Sequence, residues 1–231
     1  MNFLKRLASR LPTRWQNHLR SARSRALIRR GEFDAGEPEF DRLTEWLQPG
    51  DWALDIGANM GSYTVAMSRL VGETGRIIAL EPVPTTFAIL VSNLQSAKCD
   101  NVTMINGAAS DRTDVCQMHI PRFDTGLENF YQARLTKGGD VTQIRRLNVL
   151  TLALDALGLP NRVALAKVDV EGHEEAVVAG MWKLIHRDRP VLIIETSSQA
   201  IQERLATLGY RMEHMSGSPN RVFVSHERAP A

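Results

Sequence analysis

Along most of the chain the apolar positions come in pairs of blocks. A short run that is apolar nearly throughout precedes a longer segment whose apolar residues recur every three or four positions. Trp52-Ala53-Leu54-Asp55-Ile56 and the stretch carrying Tyr63, Val65, Ala66 and Leu70 form the first pair. Arg76–Leu80 precedes Pro84–Ala97, with Phe87, Leu90, Val91 and Leu94 on one side. Val163–Asp169 precedes Ala176, Val177, Val178 and Met181, and Pro190–Glu195 precedes Gln199–Leu208. Apolar strands alternating with helix-period segments predict a parallel sheet covered on both faces. Val102–Asn106 adds a strand. Tyr210–Met215 and Arg221–Ser225, joined by Gly217-Ser218-Pro219-Asn220, predict a closing antiparallel hairpin. The predicted fold class is a three-layer, doubly wound α/β sheet ending in that hairpin.

The rhythm breaks in three places. Residues 114–151 carry a strand pattern up to Ile120 and another from Ile144, separated by a polar stretch with Gly126, Gly138 and Gly139. This reads as an inserted hairpin with a long connection, a place where binding specificity is often built. Phe123, Phe130 and Tyr131 there could stack on a ring or simply cover the sheet. Leu152–Leu159 reads as a short helix, and Pro38–Leu47 as another. Residues 1–36 form an arm and linker ahead of a domain spanning 37–228. On the arm, Phe3, Leu4, Leu7 and Leu11, then Trp15, Leu19, Ala22 and Ala26, fall on helical stripes.

Charge changes the picture of that arm. Residues 1–30 hold nine Lys or Arg and no acid, which leaves 19 basic against 26 acidic residues in the remainder, a net of −7. The basic amphipathic arm could fold over its own acidic domain, pack on a second copy of the chain, lie on anionic lipid or track nucleic acid. Packing on protein fits first and a peripheral membrane contact second; nucleic acid is not expected. Arginines interrupt the apolar residues, so the arm does not read as a secretory signal. No apolar run approaches the ~20 residues a membrane span needs. Cys99 and Cys116 lack metal-ligand spacing and suggest a reducing, cytoplasmic setting.

The candidate chemistry starts where the first strand runs into Asp55-x-Gly57-x-Asn59-x-Gly61. Glycines there allow a tight turn and close approach of backbone N–H groups to a ligand. The carboxylate before the first glycine would repel a pyrophosphate and suits a cationic ligand. Twenty residues past Gly61 the second strand ends in Glu81-Pro82, where an acid can accept two hydrogen bonds from a ribose diol. Opening into one cleft, Asp55 and Glu81 read as a site for S-adenosylmethionine. Gly107-Ala108-Ala109-Ser110-Asp111 would let a purine lie flat, with Asp111 or a backbone carbonyl accepting from its amine. The candidate donor-binding residues are thus Asp55, Gly57, Asn59, Gly61, Tyr63, Glu81, Ala108 and Asp111.

Leu54-Asp55-Ile56-Gly57-Ala58-Asn59-Met60-Gly61, Leu80-Glu81-Pro82 and Lys167-Val168-Asp169-Val170-Glu171-Gly172-His173-Glu174 together resemble the FkbM-type methyltransferase family over about residues 50–215. The resemblance implies a class I methyltransferase (Rossmann-like) fold, S-adenosylmethionine as donor and a hydroxyl oxygen as the usual acceptor. An aliphatic hydroxyl needs a base to take its proton as the new bond forms. Asp169, Glu171 and His173 are the candidates. Each also has an ordinary role available: Asp169 orienting Lys167, Glu171 capping a helix that starts at Gly172, His173 in an exposed first turn. Glu195 is a further acid at a strand end, and no metal is expected. The leading expectation is O-methylation of a saccharide or small-molecule hydroxyl. N-methylation of protein or RNA and a non-catalytic binding module are the alternatives.

Overall fold

The computed structural model describes residues 13–121, 134–135 and 144–226. Phe3, Leu4, Leu7 and Leu11 of the arm, and Phe123, Phe130 and Tyr131 of the insertion, lie outside them. Helix α1 (Thr13–Arg30) is followed by two single turns, α2 (Pro38–Asp41) and α3 (Leu43–Trp46), where one helix was expected. Arg42 leaves helical geometry between them and binds Glu45 and Glu213 instead. Strand β1 (Trp52–Ile56) leads into α4 (Ser62–Val71), β2 (Arg76–Leu80) into α5 (Pro84–Ala97), and β3 (Val102–Ile105) follows. A short β4 (Ala108–Ala109) and the strands β5 (Asp114–Pro121), β6 (Arg134–Leu135) and β7 (Ile144–Leu152) come next. The chain closes with β8 (Val163–Val168), α6 (Glu174–Gly180), α7 (Trp182–Asp188), β9 (Val191–Glu195), α8 (Gln199–Ala206), β10 (Tyr210–Glu213) and β11 (Asn220–Ser225).

Seven strands form the main sheet in the order β10-β11-β9-β8-β1-β2-β3, all running in one direction except β11, which is antiparallel to both β9 and β10. Strand order reverses between β1 and β8, where ligands of doubly wound sheets collect. Leu54 lies opposite Ala166, Asp55 opposite Lys167 and Ile56 opposite Val168. Side chains alternate across a strand, so Leu54, Ile56, Ala166, Val168 and Ile194 pack in the core on one face, under α6 and α7. Ala53, Leu165 and Ile193 pack on the other with Tyr63, Val65 and Leu90. The same alternation sends Asp55, Lys167 and Glu195 toward this second face.

A second sheet, β4-β7-β5-β6, stands beside the first. Its antiparallel pair β5–β7 sets Met118 opposite Leu147 and His119 opposite Arg146. Val83, Ala108, Met118, Ile120 and Val149 make a small core of its own, while Val115 and Leu150 on the far side are exposed. Leu152–Leu159 is not a helix of any length: it holds one 3-10 turn at Leu154–Leu157, whose Asp155 accepts the N–H groups of Lys183 and Leu184 in the first turn of α7.

Helix α1 packs against α5, but not through the expected stripe. Ser24 and Ile28 are buried, Ser21 and Arg25 reach Ser92, and the Ser24 hydroxyl meets Met60 Sδ at 3.8 Å. Trp15 and Leu19 face solvent. Arginines at 20, 23, 25, 29 and 30 are spread around the helix, which leaves no dominant apolar face. Among the described residues no helix is long and apolar enough to cross a membrane.

Candidate active site

The backbone builds the first part of the site. After β1 the N–H groups of Gly57 and Ala58 both donate to Leu80 O, at 3.0 and 2.8 Å, tying the turn to the tip of β2. Gly57 has φ +83°, and a Cβ there would stand 1.8 Å from Asp169 O. Only glycine allows the tip of β8 to come so close. Gly61, at φ +91°, starts α4 under Leu90. Asn59 also takes a left-handed conformation (φ +50°), which aims its N–H at Glu81 Oε2, 3.0 Å away. The N–H of Val83 donates to Glu81 Oε1 at 2.8 Å. Glu81 is therefore fixed by two amides and keeps a lone pair free on each oxygen. Burial pushes its pKa up to about 7; the two amide bonds pull it down, and Asp55 and Asp169 add to the rise.

Glu81 opens onto a cleft of about 670 Å³ walled by Val83, Ala108, Ala109, Met118, Leu135 and Val170, with Gly57, Asn59, Asp169, Glu171 and His173 along its edge. An acid that can take a diol beside a flat apolar wall fits a nucleoside. Ala108 is in that wall, as expected. Asp111 is not: it is exposed, accepts from the Ser110 hydroxyl at 3.1 Å and pairs with Arg112 at 3.4 Å.

Asp55 and Tyr63 lie elsewhere. Side-chain alternation along β1 turns Asp55 onto the sheet's second face, where its carboxylate accepts from the Thr64 hydroxyl. Burial raises its pKa to about 6, against the lowering effects of Thr64 and Lys167. It lines a separate chamber of about 800 Å³ with Phe33, Glu37, Met60, Tyr63 and Lys167. The expected single cleft of Asp55 and Glu81 takes the form of two adjoining chambers, one for each acid, that have Gly57, Asn59 and Asp169 as common walls. Burial, then the Glu37 carboxylate, holds the Tyr63 hydroxyl far above its ordinary pKa, so it stays protonated and donates to Glu37 at 2.7 Å.

The three candidate bases converge at the tip of β8, in different surroundings. Asp169 Oδ2 lies 3.6 Å from Nζ of the buried Lys167. Glu171 sits at φ +54°, so the chain turns sharply instead of continuing extended, and the helix starts at Glu174. Glu171 does not cap that helix; Glu174 instead accepts the Gly172 N–H at 2.8 Å. Partial burial, then repulsion from Asp169, Glu195 and Glu174, raises Glu171 to about 7. His173 Nε2 is 2.9 Å from the Ser110 hydroxyl, and burial lowers its pKa. Burial and the neighbouring Asp169 raise Glu195 as well. Beyond Glu171 runs a third cavity, a groove of about 920 Å³ formed with Glu195, Thr196, Ser197, Ser198, Ser218 and Arg221. Among the described residues no group of His, Cys, Asp and Glu is arranged to hold a metal.

Two residues that the sequence did not single out join the site. Asn220 is fully buried and binds Lys167 Nζ at 3.0 Å, and Glu37 accepts from Asn220 at 2.7 Å. Neither carries a local signal, since both act across long sequence separations.

Comparison with known proteins places the chain among methyltransferases. The methyltransferase FkbM domain model matches residues 55–215. The ribosomal RNA large subunit methyltransferase E of Bdellovibrio bacteriovorus is 30% identical over 122 residues, 51% of this chain. The hexuronic acid methyltransferase AglP of Haloferax volcanii is 26% identical over 162 residues, 68% of this chain. The chain spans 56% and 62% of those two proteins. The crystal structure of the methyltransferase FkbM from Methylobacillus flagellatus superposes with a TM-score of 0.53 at 15% identity, covering 75% of this chain and 43% of that one, which is a likeness of fold.

Proposed function

The chain belongs to the methyltransferase FkbM family, and from that premise we propose that it moves a methyl group from S-adenosylmethionine to a hydroxyl oxygen of a saccharide or small-molecule acceptor. Its sheet order is that of the class I methyltransferase fold, and S-adenosylmethionine is the donor of that family. The residues present fit the donor: Glu81 keeps an acceptor lone pair on each oxygen beside an apolar wall, and Gly57, on the edge of the same cleft, lets the tip of β8 close up against the turn.

The observation that carries the acceptor reading is the position of Glu171, which lines both the nucleoside cleft and the hydroxyl-rich groove. The bound donor supplies a methyl carbon activated by a sulfonium. As the acceptor oxygen bonds to that carbon, the carbon–sulfur bond breaks and its electron pair stays on sulfur, so the remaining requirement is a place for the hydroxyl proton. Glu171, raised to about 7, is ionised in a useful fraction at neutral pH and still basic enough to take it. Asp169, held by Lys167, orients the acceptor. Thr196, Ser197 and Ser218 offer hydroxyls to a polyol, while the Ser198 hydroxyl is held by Glu175.

The likeness to a ribosomal RNA methyltransferase and the basic helix α1 favour RNA as a second reading. The groove weighs against it, because Glu171, Glu174 and Glu195 outnumber Arg221 there and would repel phosphates. A transfer assay with methyl-labelled donor, run against neutral glycosides, uronic acid glycosides and ribosomal RNA, decides between them. Label in a glycoside as a base-stable ether is the expected result. Label in RNA alone would overturn the reading.

A further inference from the structure

The donor and acceptor readings leave most of the second chamber unused. Its roof is the segment 33–37, which connects α1 to α2 and contributes Phe33, Asp34, Ala35 and Glu37 to the lining. A plain spacer would be held by nothing. This one is fastened at Glu37, whose Oε2 accepts from the Tyr63 hydroxyl and from Asn220 Nδ2, both at 2.7 Å. Asn220 in turn takes Lys167 Nζ on its Oδ1 at 3.0 Å, and Lys167 Nζ lies 3.6 Å from Asp169 Oδ2 and 5.4 Å from the centre of the Tyr63 ring. A line of hydrogen bonds, closed by an ion pair, thus runs from the linker across the sheet's second face to the acid at the tip of β8.

The chamber offers both signs of charge: Asp34, Glu37, Asp55 and Asp169 against the buried ammonium of Lys167. That combination suits a zwitterion, with an ammonium on the acids and a carboxylate toward Lys167. The nucleoside cleft adjoins it across Gly57 and Asn59. A ligand with a nucleoside at one end and an α-amino acid at the other has the chemistry to fill both.

We propose that segment 33–37 is a strap over the amino-acid end of the donor, and that Glu37 is the positioning residue that fastens it and, through Asn220 and Lys167, sets the orientation of Asp169. The proposal rests on the donor reading above. A linker acid becomes part of the donor site, although one of its two fastenings lies 183 residues away in sequence.

Two ligands separate the strap from the rest of the site. S-adenosylhomocysteine carries the amino-acid end; 5′-methylthioadenosine has the same nucleoside and lacks it. In calorimetry on the full chain, Glu37→Ala weakens S-adenosylhomocysteine about tenfold or more, as expected for two lost bonds to a charged acceptor. It leaves 5′-methylthioadenosine within about twofold. Glu37→Gln, whose amide oxygen can still accept both bonds, recovers most of the loss. Amide hydrogen exchange in residues 31–37 slows with S-adenosylhomocysteine and not with 5′-methylthioadenosine. Equal losses for both ligands, or no loss in Glu37→Ala, overturn the strap and leave the donor reading standing. A wild-type chain that binds neither ligand overturns both.

Discussion

The nucleoside cleft and the acceptor groove share Glu171 yet are built from different material. The cleft is made of backbone and apolar surface: two main-chain N–H groups hold Glu81, a glycine lets two strand tips touch, and Val83, Ala108 and Met118 form a wall. The groove is made of side chains on connecting segments, with hydroxyls from Thr196 to Ser198 and a turn at Ser218. Backbone contacts persist through most substitutions, whereas loop side chains change freely. In the function proposed above, the donor, which is constant, meets the first kind of surface and the acceptor the second.

If that division holds, each half can be disabled separately. The largest effect is expected from Glu171→Gln: the transfer rate falls on the order of 10²–10⁴-fold, while calorimetric affinity for S-adenosylhomocysteine stays within about twofold. Wild-type single-turnover rates fall about tenfold per pH unit below the Glu171 value near 7 and level off above it, since the ionised form is the base. A variant that loses donor affinity as well would merge the two regions. Gly57→Ala is the complementary lesion. The added Cβ meets Asp169 O and the residue is left at φ +83°, so donor affinity drops roughly 30- to 100-fold and the melting temperature falls by several degrees. Unchanged donor binding would remove the backbone from the account.

The smallest effect concerns the ligand-free protein. Asp55 and Glu81 titrate near 6 and 7 in the folded chain, above the ordinary range near 4. Between those values the folded state holds protons that the unfolded chain has released. Stability therefore falls as pH rises from about 4.5 to 7 and is flat above. His173, lowered by burial, opposes this weakly below its unfolded value. Differential scanning at pH 5.5 and 8 should show the higher melting temperature at 5.5, by on the order of 5 °C. Saturating S-adenosylhomocysteine should raise the pH 8 value more. A melting temperature higher at pH 8 without ligand would remove the buried, protonated acids from the account.

What the sequence disclosed follows from how local each signal is. The apolar runs of β1 and β8 and the glycine turn after β1 announce themselves within a few residues. Glu81 is legible because it ends a strand. Asp55 is legible in kind, and the period of two along β1, which groups it with Ala53 and not with Leu54, places it in the chamber beside that of Glu81. The turn at Glu171 is not legible, and capping is the role its position suggests, because a left-handed non-glycine residue is imposed by its surroundings and not by its own preference. Helix α1 docks through Ser24 and Ile28 instead of Trp15 and Leu19: with arginines on all sides, the sequence contains no dominant stripe to follow. Glu37 and Asn220 were invisible for the plainest reason, since nothing local marks a contact between the linker and the last hairpin.

The small sheet β4-β7-β5-β6 has its own core and lends Met118 and Leu135 to the cleft. Substitutions at Met118 or Leu135 can therefore reshape one wall of the cleft without disturbing the Glu81 carboxylate or the touch of Gly57 on the tip of β8.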